Sequence, residues 1–79
     1  MNIETLRQVH QAEPFRAFTL HMIDGRALHV PQRELLSHSP GGKTVIVYHD
    51  DDDFSLIDLA TVSELEVHGP SPPGPYGMQ

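Results

Sequence analysis

A chain of 79 residues without cysteine has room for one domain and cannot staple it with disulfides or thiolate-held metal. Its formal net charge of −6, with only five scattered Lys and Arg residues, disfavours a general nucleic-acid binder, because a surface of that sign repels phosphate. No apolar run reaches the ~18 residues of a membrane span, and the first residues lack the basic-then-apolar pattern of a secretory leader, so the expected location is the cytoplasm.

The periodicity predicts a helix from Ile3 to Ala12, capped by Asn2, with Glu4 favourably placed in the first turn and Pro14 as its stop. Ile3, Leu6, Val9 and His10 form its narrow apolar stripe, and so short a helix must dock to persist. From Phe15 the period changes to two. "FTLHMIDGRALHV" reads as a hairpin turning at Asp24-Gly25. A two-residue turn would mix polar and apolar residues on both faces. A three-residue loop, Ile23-Asp24-Gly25 with Gly25 left-handed, pairs Leu20 with Leu28 and Phe18 with Val30, and is preferred. The other face then carries Thr19, His21, Ala27 and His29.

Pro31 ends that hairpin, and Arg33 to Leu36 is expected to make a turn that buries Leu35 or Leu36. "KTVIVYH", "FSLID" and "VSELEV" are three further β-runs, with a tight corner over Asp58 to Thr61. In the last run Val62, Glu64 and Glu66 alternate with Ser63, Leu65 and Val67. The domain is expected to span residues 1–68, followed by an extended Pro/Gly-rich tail over 69–79.

The run Asp50 to Asp53 joins two of these strands, and aspartate suits such a loop because its side chain accepts from nearby backbone N–H groups. A four-residue loop there pairs Val47 with Leu56 and Ile46 with Ile57. Both faces of this hairpin are then apolar, so one enters the core and the other needs cover from the N-terminal helix or a second subunit. Ile46, Tyr48, Ile57 and Leu59 are the expected interface residues.

Other chemistry is sparse. An EF-hand-type calcium loop requires spaced oxygens, a glycine and a distal glutamate, which "DDDDF" lacks. A looser metal set would combine His21 and His29 with Asp51 and Asp53. Arg26 and Arg33 are the only candidate phosphate contacts. No nucleophile elbow or phosphate-binding loop is present, and a barrel of this size has no room for a ligand pocket of several hundred Å³, so no enzyme activity and no cofactor are expected.

One helix ahead of five short antiparallel strands closes most simply as a small SH3-like barrel, a mainly β (α+β) fold. The leading helix, the Asp-Gly hairpin and the closing "IDLATVSEL" segment resemble the Sm-like fold over Ile3 to Val67. Where Sm-like proteins carry an Asp and an Asn that contact RNA, this chain reads "VPQRELLSH", so the resemblance transfers no RNA-binding residue. "PFRAFTLHMIDGR" at Pro14 to Arg26 also resembles a "PFRxFxxxxxDGR" segment of a group of small bacterial proteins; that likeness implies a bacterial source and no particular activity. The expectation is a non-enzymatic protein-interaction domain that self-associates, with an Sm-like RNA binder and a divalent-metal regulator as alternatives.

Overall fold

The computed structural model describes residues 1–50 and 52–69. Helix α1 runs Ile3–His10, where Asn2 Oδ1 accepts from Thr5 N at 2.9 Å. It stops two residues before the predicted end. Arg33 caps this end: its Nε donates to His10 O, whose helical partner would be the nitrogen of Pro14, which carries no hydrogen, and its guanidinium donates to Ala12 O at 2.7 Å. His10 returns the contact. Its Nε2 donates to Arg33 O at 2.8 Å, so its Nδ1 is left to accept from the Gln11 amide. Of the predicted stripe, Leu6 and His10 are buried, while Ile3 and Val9 sit at the edge of the core.

Six strands follow among the described residues: β1 Phe18–Met22, β2 Ala27–Val30, β3 Leu36–His38, β4 Thr44–Tyr48, β5 Phe54–Asp58 and β6 Val62–Val67. They form two antiparallel sheets of three, ordered β2-β1-β6 and β3-β4-β5. The expected five-stranded closed barrel is thereby corrected on both counts. A single-turn 3-10 helix at Arg33–Leu35 interrupts the chain after Pro31, and the short run "LSH", not predicted as a strand, pairs with β4. The predicted turn and the burial of Leu36 both hold.

The first hairpin has the predicted register, Phe18 with Val30 and Leu20 with Leu28. Met22 N bonds Arg26 O across Ile23-Asp24-Gly25, and Gly25 has φ +95. The alternation expected of β6 fails at its first residue. Pairing with β1 slips after Glu64, so Met22 faces Val62 and Ser63 becomes the extra residue of a bulge, its hydroxyl donating to His21 O at 3.0 Å. The slip turns Val62 inward, where it is buried. A second 3-10 turn, Leu59–Thr61, makes the predicted corner, with Asp58 Oδ1 accepting from Ala60 N.

The core lies between the sheets. Phe18, Leu20, Leu28 and Val30 line one side, Leu36, Val45, Val47 and Ile57 the other, and Leu6 enters from the helix. At the turn before β4, Gly42 has φ +77 and its Cα lies against the Ile3 side chain. Any Cβ there would collide with Ile3 and hold a disfavoured backbone. Gly25 also has positive φ but faces open space. Gly42→Ala should therefore lower the unfolding free energy by about 2–4 kcal/mol, and Gly25→Ala by about 1 kcal/mol. Urea denaturation checks the order; equal losses would refute the docking of Ile3 on this turn.

Candidate functional site

The second hairpin departs from the predicted register by one residue. Val45 pairs with Ile57, Ile46 with Leu56, Val47 with Ser55 and Tyr48 with Phe54. The inner face of β4 and β5 is thus Val45, Val47, Ser55 and Ile57, and the outer face is Ile46, Tyr48, Phe54 and Leu56. Ile57 and Leu59, expected at an interface, are core residues at 6% and 4% exposure. Ile46 and Tyr48 do lie outside, half-buried. Their partners, which the sequence reading passed over, are the exposed ones: Phe54 at 58% and Leu56 at 64%. The Tyr48 and Phe54 rings stand 6.3 Å apart across the strands. Helix α1 docks through Leu6 at the core and Ile3 at Gly42, and it leaves this face open.

The register follows from the loop. His49 N bonds Asp53 O at 2.9 Å, so the strands pair up to His49 and Asp53, leaving three connecting residues instead of four. Asp50 Oδ1 accepts from Asp52 N at 3.1 Å and from Asp53 N at 2.9 Å. Those two backbone donors hold the Asp50 carboxyl below the ordinary aspartate range, despite some desolvation. The carboxylate works here as a turn clasp. His49 Nε2 pairs with Ser55 Oγ at 2.7 Å.

The outer face of β2-β1-β6 is polar. His21 and His29 share it, as predicted, but they do not meet. His21 Nε2 donates to Glu66 Oε1 at 2.8 Å, and this bond is the largest cause of a lowered Glu66 carboxyl. His29 Nδ1 lies 3.1 Å from Thr19 Oγ1, and the same hydroxyl lies 2.8 Å from His68 Nε2. His68 is the last residue of the expected domain. It is anchored to the sheet, its N–H bonded to Ala17 O and its carbonyl accepting from Arg16 Nε.

Of the expected metal set, the described members His21, His29 and Asp53 do not come together. Asp53 sits at the second hairpin, on the other sheet from the histidines. Asp51 and the predicted tail from residue 70 lie outside the described residues. Among the described residues, no three His, Asp or Glu side chains come together to hold a metal ion. The candidate phosphate contacts are engaged elsewhere: Arg26 Nε pairs with Asp24 at 2.9 Å, and Arg33 clamps α1, pairs with Glu13 and covers the Phe15 ring.

A surface cleft of about 580 Å³, larger than the predicted barrel would allow, opens between Pro14, Phe15, Arg16 and Pro31, with His68 and Gly69 at its rim. Its lining carries no carboxylate.

No family model, curated protein or solved structure matches this chain. No helix is long and apolar enough to cross a membrane among the described residues.

The Asp50 clasp gives a signed expectation. A carboxyl with a depressed folded-state pKa stabilises the fold above its unfolded-state pKa, and this contribution disappears as pH falls through the folded value. Asp50→Ala should therefore lower Tm near neutral pH, and the gap to the unaltered protein should close below the ordinary carboxylate range. Thermal melts across pH 2–7 (roughly the carboxylate window and above) test this. A gap that stays constant would mean that the loop, and not the charge, carries the effect.

Proposed function

We propose that this chain is a small non-enzymatic interaction domain that binds a second copy of itself through the outer face of β4 and β5. The observation that carries the reading is the pair Phe54 and Leu56, more than half exposed and flanked by Ile46 and Tyr48. Exposed apolar side chains are ordinary when scattered, whereas four contiguous ones on one face of paired strands favour burial against a partner. Charge supports the choice of a second copy and its orientation. One end of the face carries Asp50, Asp52 and Asp53; at the other, Lys43 precedes β4 beside Asp58, the last residue of β5, so the two ends differ in acidity. Two copies related by a two-fold axis and packed antiparallel keep their acidic ends apart and bring each towards the other copy's Lys43; parallel packing would stack the acids. The likeness of "PFRAFTLHMIDGR" to small bacterial proteins supports, on this reading, a bacterial cytoplasmic domain.

A second reading, Sm-like nucleic-acid binding, has one observation in its favour. If β2 and β3 are counted as one strand bent at Arg33–Leu35, the strand number becomes five, that of an Sm-like barrel. The charge of −6 and the engagement of Arg26 and Arg33 weigh against it.

Size-exclusion chromatography with light scattering, read at 260 and 280 nm, separates the two. The self-association reading expects a defined oligomer with no excess 260 nm absorbance. Leu56→Asp should reduce it to a monomer with an unchanged circular-dichroism spectrum. Ile57→Asp should instead unfold the domain, since it buries a charge at a loss of about 3 kcal/mol or more. A monomeric unaltered protein, or an oligomer indifferent to Leu56→Asp, would refute the assignment of this face. Co-purifying nucleic acid whose retention falls steeply with salt would favour the second reading.

A further inference from the structure

The cleft at Pro14, Phe15, Arg16 and Pro31 shares no lining residue with the β4–β5 face. At about 580 Å³ it falls within the roughly 300–1,000 Å³ of small-molecule sites. Pro14, Phe15, Ala17 and Pro31 give it an apolar wall, and Arg16 and His68 supply polar side chains. The wall is braced. The Phe15 ring packs 5.9 Å from that of Phe18, which is fully buried, and the Arg33 guanidinium sits 5.4 Å from the Phe15 ring centre. Ala17 is tied to the far end of the chain by the bond from His68 N to its carbonyl at 2.9 Å. Arg16 stands apart from the other arginines. Arg7, Arg26 and Arg33 each pair with a carboxylate, and Arg16 pairs with none among the described residues. Its Nε donates to His68 O at 3.1 Å, which holds the guanidinium at the cleft and leaves the fork of its two terminal nitrogens for a ligand.

We propose that this cleft binds a small aromatic monocarboxylate, with the carboxylate on the terminal nitrogens of Arg16 and the ring against Pro14, Phe15 and Pro31. The planar guanidinium fork matches a carboxylate edge to edge, and both bonds are charge-assisted. Charge sets the valence of the ligand. The lining has one arginine and no carboxylate, so a single negative charge is met without repulsion. A polyphosphate would bring further negative charge to a protein of net charge −6. The wall sets the rest of the ligand. Two proline rings and a phenyl ring offer apolar surface that a flat ring covers well. A sugar would bring hydroxyls to side chains that cannot bond them, and each would lose water without compensation. The apolar wall also lowers the local dielectric, which strengthens the ion pair over one on an open surface. This site stands whether or not the chain self-associates.

The test is titration of the full chain with phenylacetate, followed by ¹H–¹⁵N backbone spectra, with phenylacetamide as the uncharged control. Shifts centred on Phe15, Arg16, Ala17, His68 and Gly69 are expected, with a Kd on the order of 1 mM from the usual gain per atom of a fragment-sized ligand. The amide should bind roughly tenfold more weakly, because it lacks the charge that the guanidinium fork meets. Arg16→Gln should bring acid and amide to equal affinity. Arg7→Gln, on α1 and paired with Glu4, should leave both affinities unchanged. Circular dichroism checks that Arg16→Gln folds; if it does not, the comparison of acid and amide on the unaltered protein decides alone. No shifts at about 10 mM phenylacetate, roughly tenfold above the expected Kd, would overturn the site. So would equal affinity for acid and amide on the unaltered protein, or shifts centred on Phe54 and Leu56 instead.

Discussion

Arg33 and His10 exchange hydrogen bonds across 23 positions of the chain, and the rest of the architecture hangs on that exchange. It caps the end of α1, because the carbonyls of His10 and Ala12, left without helical donors ahead of Pro14, are taken by a guanidinium. It pins the 3-10 turn at Arg33–Leu35 to the helix, and that turn is where the strand path breaks between β2 and β3. The break lets the sheet fold over into two layers instead of closing around itself. Leu6, one turn before His10, is thereby lodged at the core. A partly buried charged hydrogen bond to backbone contributes more than a neutral one, and in so small a domain a few such bonds decide whether a short helix stays docked.

The two hairpins show what the sequence encodes well and badly. The first was legible because its alternation is sharp: Phe18, Leu20, Leu28 and Val30 against Thr19, His21, Ala27 and His29. A slip of one residue would put histidine into the core, so only the three-residue loop with a left-handed Gly25 survives. In the second, Val45, Ile46 and Val47 are interchangeable to a pattern. A one-residue slip exchanges one aliphatic side chain for another, and nothing in the apolar pattern forbids it. What decided the register was the Asp50 clasp and the His49–Asp53 bond, a detail of loop geometry. The slip is small and its consequence large. It moved Ile57 from the expected interface into the core and brought Phe54 and Leu56 out.

β6 failed for a related reason. Alternation assumes an unbroken ladder, and the bulge at Ser63 reverses the inside and outside of everything before it. His68 was invisible because composition argues by neighbourhood. At the last position before the Pro- and Gly-rich stretch it carries no strand signal, yet one backbone bond to Ala17 extends the sheet far enough to place its ring beside His29. A signal existed in hindsight. His68 continues the outward alternation of Glu64 and Glu66, on the same face as Thr19 and His29.

The result is a domain whose two outer faces are chemically opposite. A stack of two thin sheets has one interior and two exteriors, and twelve buried apolar residues fill the interior. The β4–β5 exterior retains four apolar side chains that the single short helix cannot also cover, because its docking at Gly42 and the core is fixed by Ile3 and Leu6. The β2-β1-β6 exterior is laced instead by histidine, threonine and glutamate, with Thr19 bonded to His29 and His68 and His21 to Glu66. A polar surface so fully engaged gives up little by staying in water, while the apolar one loses by it. On the self-association reading, the β4–β5 side is therefore the one that pairs, leaving the histidine face in water whatever the assembly on the other side.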